Sequence, residues 1–224
     1  MRFAVSLALL EVFAVIGQTQ SVPPQQQPIT NDRSLGIFPG FRVADANKPF
    51  VPISNRRKMY IAFRDSTDPM LIPTTAAIAG IYQWNDTNPS FGQGAAGYAR
   101  RFGAAYGDTA IGNMLTIGVF PSAFGEDPRY FRRGEAGGSK GRRLLYAASR
   151  VFITRTDRGN NSFNFSQVAG SAVTTGIGNA YYPDNRGLGD NFRRFGIGMG
   201  LDSLGFVLKE FSPDITHFFS KITH

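Results

Sequence analysis

The stretch ARRFGAAYGDTAIGNMLTIGVFP, residues 99–121, constrains the fold more than any other part of this chain. Its apolar residues recur at helical spacing, yet Gly103, Gly107, Gly112 and Gly118 stand inside it and Asp108 sits among small side chains. Each interior glycine costs a helix about 1 kcal/mol relative to alanine, so four of them need an offset. The usual offset is close approach between helices, and the spacing Gly103-xxx-Gly107 is characteristic of helices packed in or against lipid. A second segment, FRRFGIGMGLDSLGFVLKEFSP at 192–213, echoes the first through Arg193-Arg194-Phe195-Gly196, Gly200, Asp202 and Pro213. Duplication and a shared packing demand both account for such an echo. If Asp108 and Asp202 face the packed side they need counter-charges, because an unpaired buried ion costs several kcal/mol. Arg150 and Arg155, near the apolar face of the following helix, are the expected partners.

Five helices are predicted. The first is capped by Asp68, has Pro69 at its opening position and runs to residue 84. The second covers residues 93–120 and is halted by Pro121. The third covers 143–153, although its β-branched end VFITRT also reads as a strand. The fourth covers 166–180, and the fifth is capped by Asp190 and stopped by Pro213. Residues 30–58 are broken by Pro and Gly and read as an extended segment on the domain surface. The expected fold is mainly α: a Gly-rich bundle of about five helices with an extended N-terminal segment, one domain over residues 36–216 and a tail at 217–224. Neither Gly-rich segment offers the roughly 20 uninterrupted apolar residues of a spanning helix. The alternative is an outer-membrane β-barrel, which also uses glycine and aromatic residues at short intervals. Against it, alternation is not sustained over about ten residues, and the chain ends in SKITH rather than in an aromatic strand.

The start of the chain indicates export. Arg2 precedes an apolar run over residues 3–17, and small or polar residues follow, which is the order of a signal peptide at 1–17, with Glu11 as an interruption. Residues 18–35 are rich in Gln and Pro and read as a disordered linker. The expected location is the periplasm or the periphery of the outer membrane.

With 24 Lys plus Arg against 16 Asp plus Glu, the net charge is +8. The loop at 126–143 concentrates Arg129, Arg132, Arg133, Lys140, Arg142 and Arg143 beside Tyr130 and Phe131. Such interleaving suits anionic surfaces. Behind an export signal the expected partner is a membrane surface or anionic lipid, with a protein partner or self-association as the other option and nucleic acid disfavoured.

Several chemistries are disfavoured. Cysteine is absent, which removes disulfides and thiolate metal sites. The only histidines, His217 and His224, lie in the tail, so a histidine-based zinc site or general base is not expected. The fragments LDSLG and DITH resemble blocks of a serine-esterase family but almost touch in a helical setting, and GEAGGSKGRR lacks the order of a phosphate-cradling loop. Glu126, Asp127 and Asp157 stand near arginines and read as surface ion pairs. No metal, cofactor or catalytic residue is assigned.

The blocks GFRVADANKPFVPIS, EDPRYFRRG, ASRVFITRTDRG, NAYYP and VLKEFSPD together resemble a group of exported bacterial proteins of about this size with no assigned activity. The resemblance covers most of residues 36–214. It implies the bacterial envelope and carries no catalytic or binding residue. The expectation is a non-catalytic structural or binding protein associated with a membrane. The alternative is a hydrolase of envelope lipid or polysaccharide using Asp108, Asp157 or Asp202.

Overall fold

The computed structural model describes residues 33–34, 38–39 and 42–222. The segment 1–17 expected to be a signal peptide and most of the linker expected over 18–35 lie outside them. The described part is mainly helical: α1 (Asn55–Ser66), α2 (Leu71–Trp84), α3 (Gly94–Asn113), a π-helical turn (Met114–Val119), α4 (Phe120–Phe124), α5 (Lys140–Ser149), α6 (Phe165–Gly178) and α7 (Leu188–Ile222). The strands are short: β1 (Arg33–Ser34) with β2 (Phe38–Pro39), β3 (Val43–Asp45) parallel to β5 (Tyr130–Arg132), and the antiparallel set β4 (Glu126–Asp127), β6 (Ile153–Thr156) and β7 (Asn161–Phe163). No barrel forms among the described residues. The extended segment and the basic loop therefore meet as a ladder, with Val43 opposite Tyr130 and Asp45 opposite Arg132.

Helix α1 begins in the last residues of the segment expected to be extended and runs on to Ser66. Its N-cap Ser54 accepts from the Arg57 N–H, and its inner face carries Lys58, Ile61, Ala62, Asp65 and Ser66. Only two of those five are apolar, so the hydrophobic period that announces a helix is missing although the helix is packed. Ile61 and Ala62 meet Ile117 on the π turn. There a Cβ on Gly118 would stand 2.9 Å from the Ala62 Cβ, which requires glycine at this crossing.

Two prolines expected to stop helices do not. Ahead of Pro121 the chain widens, and the Phe120 N–H donates to the Leu115 carbonyl, a bond five residues back instead of four. That spacing absorbs a residue with no N–H, and the helix continues to Phe124, where Gly125 ends it at φ 65°. Pro213 lies inside α7. The carbonyl it leaves without a helical donor, that of Lys209, accepts instead from Arg132 Nε and Ser212 Oγ, both at 3.1 Å. Helix α7 consequently runs through the expected tail to Ile222.

The glycines also redistribute the expected packing. Among the described residues a Cβ on Gly103, Gly107, Gly196 or Gly200 would meet nothing within 4 Å, so the two small-xxx-small pairs are not helix contacts there. Close approach occurs at Gly97, whose Cβ would fall 2.1 Å from the Gly92 carbonyl, and at Gly170, 2.6 Å from the Thr116 methyl. Among the described residues the apolar core is divided into three small clusters: Ile61, Ala62 and Ile117; Phe91, Ala104 and Tyr182; and Tyr130, Tyr146 and Ala147. About as many polar and charged residues as apolar ones are buried, which moves much of the organisation to ion pairs and hydrogen bonds.

Candidate functional site

The densest polar cluster joins α7 to the expected surface loop. Glu210 is fully buried and accepts from the Tyr130 hydroxyl at 2.7 Å, Arg143 Nε at 3.0 Å and the backbone N–H groups of Arg133 and Gly134 at 3.1 and 2.9 Å. Arg143 continues to Asp214 at 2.7 Å and to the Glu210 carbonyl at 3.2 Å. Burial, and then the bond to Glu210, pushes the Tyr130 phenol well up, so it stays a neutral donor. With four donors on one carboxylate, this is a satisfied internal clamp.

The neighbouring charges are equally internal. Lys58 donates to Asp157 at 2.6 Å and to the Pro121 carbonyl at 3.1 Å. Asp127 is held by the Arg129 fork at 2.6 Å, and Arg129 also donates to the Val51 carbonyl at 2.7 Å. Glu126 accepts the first N–H groups of α6, from Phe165 and Ser166, at 3.1 and 2.9 Å, where the helix dipole favours a carboxylate. Glu126 and Asp127 are buried, which corrects their reading as surface ion pairs.

The basic loop is likewise corrected as a lipid-contact face. Arg129 is largely inside, Tyr130, Phe131 and Arg143 are buried, and Arg132 reaches the Lys209 carbonyl. Only Arg133, Lys140 and Arg142 of that set are exposed. Arg129, Arg132 and Arg143 build the interior because each finds a carboxylate or a carbonyl, and exposed Arg133 lies 3.8 Å from the centroid of the Tyr146 ring.

Asp108 is partly buried, but its partners are not arginines. The hydroxyls of Tyr181 and Tyr182 both donate to it, the latter at 2.8 Å. Burial pushes the Asp108 carboxyl up, while the two phenols and the nearby Arg194 oppose the shift. Beside Tyr181 an open apolar groove of about 320 Å³ runs along Gly103 and Gly107. Asp202 is exposed and accepts from Gln167 at 2.7 Å. Arg150 and Arg155 stand elsewhere, stacked 4.4 Å from the Tyr146 centroid and 4.3 Å from the Phe131 centroid. The expected Asp108 and Asp202 pairing with these arginines is therefore replaced by phenols and an amide. The reason is positional: the turn after α6 brings NAYYP, not α5, against α3.

The residues missed by sequence reasoning are Lys58, Arg42, Asp65, Arg101, Lys209 and Glu210. Arg101 is buried and gathers the Thr87, Asn88 and Gly92 carbonyls, tying down a loop in which Asp86 and Asn88 adopt positive φ. The signal for Lys209 and Glu210 was present as a charged pair inside the apolar run GFVLKEF.

The outer faces of several helices contrast with this interior. Helices α2 and α6 contain no charged residue. Exposed on them are Ile72, Ala77, Ile81 and Trp84, and Phe165, Ala172, Val173 and Ile177. The start of α7 exposes Leu188, Phe192, Ile197, Leu201 and Leu204. These helices neighbour one another in the order α2, α3, α6, α7. No helix among the described residues is long and apolar enough to cross a membrane, and no group of three or more His, Cys, Asp or Glu is placed to hold a metal ion. Comparison with known proteins brings no match to a family model, to a curated protein or to a solved structure.

Proposed function

We propose that this chain is a non-catalytic structural or binding protein of the bacterial envelope that rests on a membrane surface through the outer faces of α2, α6 and the start of α7. The observation that carries the reading is the exposure of bulky apolar side chains on otherwise uncharged helices: Trp84 at 90 %, Leu188 at 81 % and Phe192 at 74 %. Exposed apolar area is worth roughly 25 cal/mol per Å² when it leaves water, and contiguous patches beyond a few hundred Å² mark interaction sites. The occupant we favour is lipid with anionic head groups, because exposed Arg186 and Arg193 flank the apolar positions of α7 and the chain carries a net charge of +8. The export signal in the sequence supports the envelope. Asp108, with both oxygens taken by phenols, has the bonding of a structural carboxylate, and the hydrolase reading gains no support from it.

Trp84 is the only tryptophan, so its fluorescence reports on this face alone. Vesicles of phosphatidylcholine containing phosphatidylglycerol should shift its emission to the blue and co-sediment with the protein. Pure phosphatidylcholine should do so more weakly. Unchanged emission and a protein that stays in the supernatant with both would overturn the reading.

A further inference from the structure

The structure points to one more site, apart from the exposed apolar faces proposed to meet lipid. Between β4, β6, the π turn and the N-terminus of α6 lies a largely enclosed cavity of about 30 Å³. In the same measure a single water needs about 10–15 Å³, so the space admits a group of a few heavy atoms. Four arginines line it, Arg42, Arg129, Arg150 and Arg155, against two carboxylates, Glu126 and Asp127.

Both carboxylates are already occupied, Asp127 by Arg129 and Glu126 by the amides of α6. Arg42 binds Asp65 through one terminal nitrogen at 2.7 Å and leaves its buried Nε without a partner. The buried Nε of Arg150 has no partner either, while its Nη1 donates to the Asn161 side-chain oxygen at 3.5 Å. Arg155 rests on the Phe131 ring with no ion pair among the described residues. Ser166, 2 % exposed, turns a hydroxyl with no partner on the same cavity. Nearby Asp202 is engaged by Gln167, and Lys209, close to Arg42, is pushed down to about 7 by burial and adds little positive charge above that pH. The wall thus holds more positive than negative charge, and a buried charge without compensation is costly.

We propose that this cavity binds a phosphate group, with Arg150 and Arg155 as charged donors, Arg42 Nε as a further donor and the Ser166 hydroxyl completing the shell. Guanidinium forks match phosphate oxygens in bidentate fashion, and a hydroxyl donor suits a fourth oxygen. The source is free phosphate or the phosphate of a lipid head group that enters from the membrane side.

The test uses the purified protein in thermal unfolding at constant ionic strength, with inorganic phosphate replacing chloride. At about a hundredfold excess over Kd, phosphate should raise the melting temperature by roughly 5–10 °C. In Arg155→Gln and Ser166→Ala the rise should shrink, with Kd weakened about tenfold or more. The Ser166 hydroxyl has no partner in the unliganded protein, so Ser166→Ala should melt normally without phosphate, and Arg155→Gln, which loses only the stacking on Phe131, should be compared with its own melt in chloride. A parallel arm replaces free phosphate with vesicles containing phosphatidic acid. A response to free phosphate assigns a soluble ligand; a response to the vesicles alone, lost in Arg155→Gln, assigns the head group. Equal melting in phosphate and chloride together with no vesicle effect, or a rise that both variants retain, overturns the proposal and leaves a water-filled cavity. The readout separates it from the membrane reading, because Trp84 emission tests that face independently.

Discussion

The region around α5 and the second half of α7 is held by buried ions, whereas α2 and α6 carry no charged residue and leave apolar side chains in water. A soluble domain usually arranges the opposite. Here Glu210, Arg143, Lys58 and Asp127 lie inside while Trp84, Leu188 and Phe192 lie outside. The difference separates two tasks. The ionic half fixes one geometry, because each of its carboxylates must find several donors at once. The apolar half is left to a partner beyond the chain.

The largest blow to the ionic half should come from Glu210→Ala. It strips four donors of their carboxylate acceptor and leaves Arg143 with Asp214 and the backbone carbonyl of position 210, and breaking a buried pair costs about 3–5 kcal/mol. Chemical denaturation should show that loss, with Glu210→Gln in between. Next comes Gly97→Ala, whose methyl group would drive into the Gly92 carbonyl, 2.1 Å from the ideal Cβ position. Overpacking of this kind costs about 1–3 kcal/mol and should loosen the loop that Arg101 ties down, visible as faster amide exchange over residues 85–92.

A pH titration sharpens the contrast further. Lys209 is buried beside Arg42, and burial, then that neighbour, pushes its ammonium down to about 7 from an ordinary value of 10.5, against the pull of Asp65 and Asp202. Because the folded-state value is lowered, the unfolded chain binds more protons between the two values, so stability should rise as pH rises through about 7 and on toward 10.5. Below that window the penalty for charging Lys209 is fully present. Lys209→Met should flatten this dependence and be the more stable protein at pH 6; a parallel dependence in both proteins would rule it out.

The smallest effects belong to the apolar half. Gly103→Ala meets nothing within 4 Å and should stabilise the lipid-free protein by about 0.5–1 kcal/mol, in contrast to Gly97→Ala. Trp84→Ser with Phe192→Ser should stay within about 0.5 kcal/mol of the parent in water while losing vesicle co-sedimentation. A large loss of lipid-free stability in that double variant would mean that these residues serve the fold and not a partner.

Much of the helical content was legible because α2, α3, α5, α6 and α7 carry apolar spacing; the caps Ser139 before α5 and Asn164 before α6, which accept from N–H groups three residues on, went unread, so both helices start earlier than expected. Helix α1 was illegible for a physical reason: Lys58 and Asp65 replace apolar residues on its inner face and are compensated by Asp157 and Arg42, distant in sequence. The candidate site was legible only in its ingredients. The unusual arginines and Asp108 stood out, but a charge does not name its partner. Asp108 found Tyr181 and Tyr182, and the basic loop found Glu210.

By itself the sequence determined that this is a glycine-rich, mainly helical chain with two echoing helices and a strong excess of arginine, since local spacing and propensity act over a few residues. Tertiary structure decided where helices end, which glycines touch and which charges are inside. Pro213 sits within a helix because Arg132, far away in the chain, reaches the carbonyl that proline leaves open, and Gly97 rather than Gly103 marks the close approach because the loop before it folds back. Burial and partnership depend on contacts between segments distant in the chain, and no local pattern encodes them.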